Sequence, residues 1–272
     1  MFPLYDTNPH RRTPWVTVGI IAVNLVVMLW LSSLNMRERE ETYIRYGFVP
    51  RRISQLVDPK LVVQVERQPV KQQAPNGQVI PVGQPPPVIL QPRPAQILFT
   101  LVSMMFLHGN WLHFAGNMWF LWIFGNNIED RLGHFGFPLF YLVSGFLALA
   151  CQWVNDPGST IPAIGASGAV AAVLGAYAIT FPTARVRTLV VLVVIITVVD
   201  LPALIVLGAW FIVQLLNATN ALDLGMAGGV AWWAHIGGFV AGMILMPLFS
   251  AGSSAAEDDW RDQFNEWTDR FS

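Results

Sequence analysis

The sequence predicts an all-α polytopic membrane protein, with six transmembrane helices in a bundle and a long first extramembrane loop. Hydrophobic residues make up 54% of the 272 residues and charged residues 12%, about half the charged fraction of a typical soluble domain. Several apolar runs come close to the roughly 20 residues that cross a bilayer. The formal net charge is −1, which gives no electrostatic argument for a nucleic-acid partner.

The six predicted spans follow one another from near the N-terminus to about residue 250. The first is too long for the core of a signal peptide, so we expect it to stay as a helix. The spans cover residues 15–34, 111–128, 137–154, 164–181, 202–217 and 232–249. We therefore divide the chain into a cytoplasmic N-terminus (residues 1–14), a membrane domain (15–250) and a cytoplasmic amphipathic acidic tail (251–272).

Residues 35–96 form the predicted long loop and hold most of the Lys and Arg residues. Residues 43–57 mix aromatic, aliphatic and Arg side chains, as an amphipathic surface helix does. Residues 68–94 are rich in Pro, Gln and Val, a composition that predicts an extended or disordered insertion without a core. Residues 97–106 are apolar but too short to span.

Residues 189–199 leave the number of crossings open. This run is rich in Val and Ile, but it is shorter than the roughly 20 residues that a span needs. It could be a seventh crossing, or a segment that enters or lies along the membrane. Ser167 and His235 each begin a span, so they reach the same depth only if both spans run in the same direction. The six-span arrangement satisfies that condition.

The distribution of basic residues supports six spans with both termini in the cytoplasm. In that arrangement one side of the membrane holds Arg11, Arg12, Arg131, Arg185 and Arg187. The short connections on the other side, residues 155–159 and 218–228, contain no Lys or Arg, as the positive-inside rule requires. The basic loop falls outside, but loops of about 60 residues or more report poorly on topology.

The motif Gly165-Ala166-Ser167-Gly168 opens the fourth span. A serine hydroxyl becomes a nucleophile when a base takes its proton, and the flanking glycines leave room for a substrate backbone. If Ser167 starts a helix, nearby backbone N–H groups lack partners and could bind an oxyanion. Close helix packing is the alternative, because Ser167, Ala171 and Gly175 form a small-residue stripe at four-residue spacing.

The motif Ala234-His235-Ile236-Gly237-Gly238 opens the last span. Histidine can act as a general base near neutral pH, although a structural histidine bonded to a carbonyl is the alternative. Ala234, Gly238 and Gly242 form a second small-residue stripe, which would let the fourth and sixth spans touch. Because the apolar spans offer no acid to orient His235, we expect a Ser-His dyad rather than a triad.

A third motif, residues 108–117, leads into the second span. His113 and Asn117 are four residues apart on one helix face, and both can donate hydrogen bonds to an oxyanion. For Asn117 the alternative is a hydrogen bond between helices. A zinc protease is not indicated, because the chain has no His-Glu-x-x-His motif, and we expect no metal or cofactor.

These motifs, in this order, resemble those of the rhomboid family of intramembrane serine proteases. Two further segments match the family pattern, Tyr46-Gly47-Phe48-Val49-Pro50 and residues 125–133. The resemblance spans about residues 15–249 and implies a rhomboid-like bundle. It implies a serine endopeptidase of the lipid bilayer that cuts transmembrane protein substrates within or near the membrane.

The resemblance also implies a role for each matching residue. Ser167 would be the nucleophile and His235 the general base. The oxyanion hole would be His113, Asn117 and the backbone N–H of Ser167. The supporting glycines would be Gly165, Gly168 and Gly238. Trp210 and Phe211 on the fifth span would belong to a lateral gate.

Some features depart from the pattern or allow other functions. Some family members carry an aromatic residue one turn after the serine, packed against the histidine; here that position is Ala171, so another group must hold the ring. A catalytically inactive rhomboid-like protein that binds membrane clients is the main alternative. A transporter would predict repeats and charges within spans. With no organelle-targeting extension evident, we expect a bacterial plasma membrane. Glu129, Asp130 and Arg131 read as a structural helix-end cluster.

Overall fold

The computed structural model is mostly helical, and it describes residues 1–9, 11–73, 79–192, 195–223 and 231–251. Its α-helices are α1 (Trp15–Ser33), α2 (Met36–Tyr46), α3 (Pro94–Ser103), α4 (Trp111–Asn155), α5 (Ser167–Thr180), α6 (Ala203–Asp223) and α7 (Trp232–Ser250). Two 3-10 helices cover Pro50–Leu56 and Met104–Phe106. The predicted amphipathic tail, residues 251–272, lies outside the described residues apart from Ala251.

The helices correspond to the six predicted spans. Among the described residues, α1, α4 and α7 are long and apolar enough to cross a membrane. The 45-residue α4 contains the second and third predicted spans, and Gly133 breaks it with non-helical torsion angles (φ 73°, ψ 168°). Each part has about 22 residues and a length of about 33 Å, which matches a bilayer core. The shorter apolar helices Ser167–Thr180 (α5) and Ala203–Thr219 (the apolar part of α6) are the fourth and fifth spans.

α5 is the centre of the bundle. Ten of its fourteen residues are buried, and it contacts α4, α6 and α7. At about 1.5 Å per residue it is about 21 Å long, shorter than the roughly 30 Å core of a bilayer. A helix this short leaves its first residue, Ser167, below one membrane surface when its other end reaches the opposite surface.

The long loop has more structure than its composition predicts. Strand β2 (Val63–Val65) pairs with β5 (Val88–Leu90), and β3 (Val70–Gln73) pairs with β4 (Val79–Gly83). The prediction that this region has no core is wrong at the base of the double hairpin, where strand residues pack against α2 and its neighbours. The small core contains Ile44, Val49, Val63, Val65, Val88 and Leu90. The buried Val residues, which favour strands, explain the difference.

The start of the loop also differs from prediction. The helix expected over residues 43–57 is two elements, α2 and the 3-10 helix Pro50–Leu56. Asn35 begins α2 with a capping box, because its side chain accepts from the Glu38 N–H and Glu38 accepts from the Asn35 N–H. Gly47 ends the helix, and Pro50 starts the next one.

Residues 189–199 do not form a seventh transmembrane helix. Apart from residues 193 and 194, which lie outside the described part of the chain, they belong to the antiparallel strands β6 (Arg185–Leu192) and β7 (Ile195–Pro202). Strand β1 (Phe2–Asp6) extends this pair to three strands in the order β1-β6-β7. The many β-branched residues account for the strand conformation. An open sheet has unpaired backbone groups at its edges and cannot cross a bilayer, so the six-span count stands.

The N-terminal segment is tied to the middle of α4 by buried polar contacts. Glu129 accepts hydrogen bonds from the backbone N–H groups of Val16 (2.9 Å) and Thr17 (2.7 Å) at the start of α1. Asp6 accepts from Asn127 (2.8 Å) and from the Tyr177 hydroxyl of α5 (2.6 Å). The structural role predicted for the acidic cluster is therefore specific, since a carboxylate of α4 caps α1.

Candidate active site

Ser167 is the first residue of α5, directly after a tight loop. Gly165 has a φ of 123°, a conformation that side chains other than the hydrogen of glycine rarely allow. The N–H of Gly165 donates to the Met104 carbonyl at 2.9 Å, which fixes the loop against the 3-10 helix Met104–Phe106. The first N–H groups of α5 have no carbonyl one turn earlier within the helix, so they form a potential anion site.

Ser167 and His235 meet at hydrogen-bonding distance. The Ser167 Oγ lies 2.7 Å from the Nε2 of His235, which is in the first turn of α7. His235 is 9% exposed, and Ser167 is half-buried. The distance is that expected between a nucleophile and its general base, and it brings the starts of α5 and α7 together.

Close packing of small residues brings these two helices together. A methyl group in place of the hydrogen of Gly238 would overlap the Gly168 carbonyl oxygen, and one at Gly242 would overlap the Ala172 carbonyl oxygen. At Gly168 it would lie 2.8 Å from the Ala148 Cβ of α4. The predicted stripes are therefore contact surfaces, and their glycines permit backbone-to-backbone contact.

Gln214 of α6 is a site residue that the sequence did not indicate. Its Oε1 lies 2.9 Å from the Nδ1 of His235, the ring nitrogen on the side away from Ser167. Gln214 is 7% exposed. It lies 21 positions before His235 and carries no charge, so neither motif nor composition distinguishes it from a polar residue that contacts another helix.

Two tryptophans complete the surroundings of His235. The Trp210 ring lies 6.1 Å from the imidazole, and the Trp232 ring meets it edge-on at 5.8 Å. Ala171, where some relatives were expected to carry an aromatic residue, instead lies against Gly238. The ring is thus held by Gln214 and by tryptophans from α6 and α7.

His113 of α4 borders the same space from the other side. A Cβ atom built on Gly165 would lie 2.7 Å from the His113 Cε1, 2.8 Å from its Nε2 and 3.7 Å from the Ser167 Oγ. The ring of His108 packs edge-on against His113 at 5.1 Å. Burial lowers the pKa of His108 to about 4, so it is neutral at pH 7 and adds no charge beside His113.

Asn117 lies one turn after His113 and is buried. Its Nδ2 donates to the His113 carbonyl at 3.1 Å. An amide nitrogen has two N–H groups, so this bond uses one of them. The bond fixes Asn117 on the helix face that also carries His113.

Trp210 and Phe211, the predicted gate residues, pack against α7. Phe211 stacks on Phe239 with ring centres 4.8 Å apart, and Trp210 stacks on the same ring at 6.1 Å. Trp210 also lies 6.5 Å from Phe120 of α4. These aromatic rings fill the space between α4, α6 and α7 beside His235, and movement of α6 would displace them.

No group of three or more His, Cys, Asp or Glu side chains that could hold a metal ion occurs among the described residues. The arrangement is a serine hydroxyl, an imidazole base and nearby hydrogen-bond donors, which suits acyl transfer.

Comparison with known proteins gives consistent matches. The family model for the Rhomboid domain matches residues 95–252. "Rhomboid-like protein 11, chloroplastic" of Arabidopsis thaliana is 30% identical over 59% of this chain and 55% of its own length. "Rhomboid protein 1, mitochondrial" of Saccharomyces cerevisiae is 28% identical over 53% of this chain and 40% of its own length.

A third relative, "Presenilin-associated rhomboid-like protein, mitochondrial" of Mus musculus, is 30% identical over 51% of this chain and 34% of its own length. The chain thus spans about half or less of the length of these relatives. Their names place them in chloroplasts and mitochondria. They give no support to the expectation of a bacterial plasma membrane.

Proposed function

Because the chain belongs to the rhomboid family of integral membrane proteins, we propose that it is an intramembrane serine endopeptidase with Ser167 as nucleophile and His235 as general base. The observation that carries the proposal is the 2.7 Å contact between the Ser167 Oγ and the His235 Nε2. The relatives' names state a family and not a reaction, so the proposed activity is argued from this contact. An inactive rhomboid-like binding protein would not need that contact.

In the proposed mechanism His235 removes the hydroxyl proton while Ser167 attacks a peptide carbonyl carbon. The carbonyl oxygen becomes an oxyanion, and the intermediate collapses when protonated His235 gives its proton to the leaving amine. This forms an acyl-enzyme on Ser167 and releases the first product. A water molecule, deprotonated by His235, then attacks the ester and restores the serine.

The developing oxyanion would bind on the α4 side of Ser167. We propose the backbone N–H of Ser167, the ring of His113 and the amide of Asn117 as its donors. His113 borders the space beside Ser167 across Gly165, and Asn117 has a second N–H beyond the one bonded to His113. The positive end of the α5 dipole would add to this stabilisation.

The proposed substrates are membrane proteins whose transmembrane segments enter beside α6. With α5 about 21 Å long, Ser167 would lie below the membrane surface, so a substrate would have to reach the site within the bilayer. A regular helix hides its peptide bonds inside its hydrogen-bond ladder, so segments with small or helix-breaking residues should be preferred. Trp210 and Phe211 would move aside to admit them.

The proposed topology places both termini on the cytoplasmic side. The N–H groups of Arg11 and Arg12 donate to Asp130, and Arg187 lies over the Tyr5 ring at 5.6 Å. These basic residues therefore gather at one end of the bundle, as the positive-inside rule favours. At the other end, Phe48 of the long loop pairs with Ala163 just before the site.

The test of this function is cleavage of a single-span membrane substrate and labelling by a fluorophosphonate. Wild type should cleave the substrate and become labelled. Ser167→Ala should show neither reaction, because it lacks the hydroxyl oxygen that attacks. Ser32→Ala is the matched control, since the Ser32 hydroxyl donates within α1 and should be dispensable. His235→Ala should also lose both reactions. Equal labelling of wild type and Ser167→Ala would refute the assignment.

A further inference from the structure

Both ring nitrogens of His235 have partners in the structure, and this constrains where the imidazole carries its proton. Nε2 faces the Ser167 Oγ at 2.7 Å, and Nδ1 faces the Gln214 Oε1 at 2.9 Å. Gln214 and His235 are both buried. Such short contacts between buried polar groups require a donor on one side and an acceptor on the other.

The proton can occupy only one nitrogen in the neutral ring. To accept the serine proton, Nε2 must present its lone pair, so Nδ1 must carry the hydrogen. The amide oxygen of Gln214 is an acceptor without a hydrogen, and it therefore matches this tautomer. In the other tautomer two lone pairs would face each other at 2.9 Å, and an N–H would point at the serine hydroxyl.

We propose that Gln214 is a positioning residue that holds His235 in the tautomer with a protonated Nδ1, leaving Nε2 free to activate Ser167. This inference rests on the proposed function. Gln214 acts through the histidine and does not touch the substrate in this role. It supplies the orientation that a carboxylate supplies in a Ser-His-Asp triad.

The membrane setting gives a physical reason for an amide at this position. A buried carboxylate far from water costs several kcal/mol even when paired. A neutral amide oxygen accepts the Nδ1–H without that cost. The amide stabilises the imidazolium that forms during attack less than a carboxylate would, because it contributes a dipole and not a full charge.

The position of Gln214 on α6 ties the orientation of the base to the placement of that helix. Gln214 lies one turn after Trp210 and three residues after Phe211, which stacks on Phe239 of α7. When these rings pack on α7, the amide oxygen reaches His235. A displacement of α6 would remove the acceptor and release the ring from the productive tautomer.

The test compares two substitutions of similar size in the full-length protein, purified in detergent and assayed with a single-span substrate. Gln214→Met has a similar length but no oxygen, whereas Gln214→Glu keeps an oxygen acceptor at the same reach. We expect Gln214→Met to lower kcat about 100-fold with KM unchanged. The precedent is a Ser-His-Asp protease in which the wrong histidine tautomer lowered kcat about 10⁴-fold. Glu should recover most of that loss.

Nitrogen-15 NMR of histidine-labelled protein reports the tautomer directly, with His235→Ala used to assign the signal. Wild type should show protonated Nδ1 and unprotonated Nε2, and Gln214→Met should show a mixture. The inference would be overturned if Gln214→Met kept the kcat of the wild type, or if His235 of the wild type carried its proton on Nε2. Those outcomes leave the proposed function intact if Ser167→Ala is inactive, whereas an active Ser167→Ala would refute the function itself.

Discussion

At the scale of single residues, Gly165 meets two demands that no other residue meets together. Its φ of 123° lies where a side chain clashes with the backbone. The space that its side chain would occupy is already filled by the His113 ring, 2.7 Å from the ideal Cβ position. Gly165 thus lets the chain turn sharply into α5 while His113 stays close to Ser167.

Gly165→Ala is therefore expected to impair both activity and stability. The strained backbone should cost about 1–3 kcal/mol of unfolding free energy, and displacement of His113 should lower kcat/KM by at least about 10-fold. Thermal unfolding and cleavage assays measure the two effects. Gly19→Ala in α1 is the control, because nothing lies within 4 Å of its Cβ position. Full activity of Gly165→Ala would show that His113 need not lie there.

At the scale of elements, the α5–α7 contact sets the distance between nucleophile and base. Gly175 extends this contact two turns below Ser167, where a methyl group would overlap the Phe239 carbonyl oxygen and lie 2.8 Å from its carbon. Backbone atoms cannot move aside as a flexible side chain can. Any side chain at Gly175 must therefore push the helices apart and lengthen the Ser167–His235 hydrogen bond.

We predict that Gly175→Ala lowers the free energy of unfolding by about 1–3 kcal/mol and reduces fluorophosphonate labelling. Gly208→Ala in α6 makes the same chemical change where nothing lies within 4 Å. Because alanine favours helix over glycine by about 1 kcal/mol, this control should be neutral or slightly stabilising. Equal unfolding temperatures for the two variants would show that the α5–α7 contact adapts without cost.

At the scale of the whole molecule, the features that sequence predicts are those that local patterns encode. Runs of apolar residues identified the helices, and Ser167 and His235 were recognisable because polar residues in such runs are costly. The hairpin of β6 and β7 was not predicted, since a short β-branched run fits several conformations. Its pairing with β1 joins residues far apart in the chain, such as Phe2 with Leu189 and Asp6 with Val186. Gln214 was missed for the same reason, because its role depends on a contact between helices.

The two ends of the bundle should face opposite sides of the membrane. With six spans, the connection between α4 and α5, near Gly158, lies on the outer side. The turn between α5 and β6, near Thr183, lies on the inner side. Both residues are exposed. In a Cys151→Ser background, which removes the only cysteine, a membrane-impermeant maleimide added outside should label Gly158→Cys in sealed cells. Thr183→Cys should react only after permeabilisation. Outside labelling of Thr183→Cys would mean that α5 ends on the same side of the membrane as Gly158. That result would contradict the six-span topology. It would also contradict a common membrane depth of Ser167 and His235, which depends on that topology.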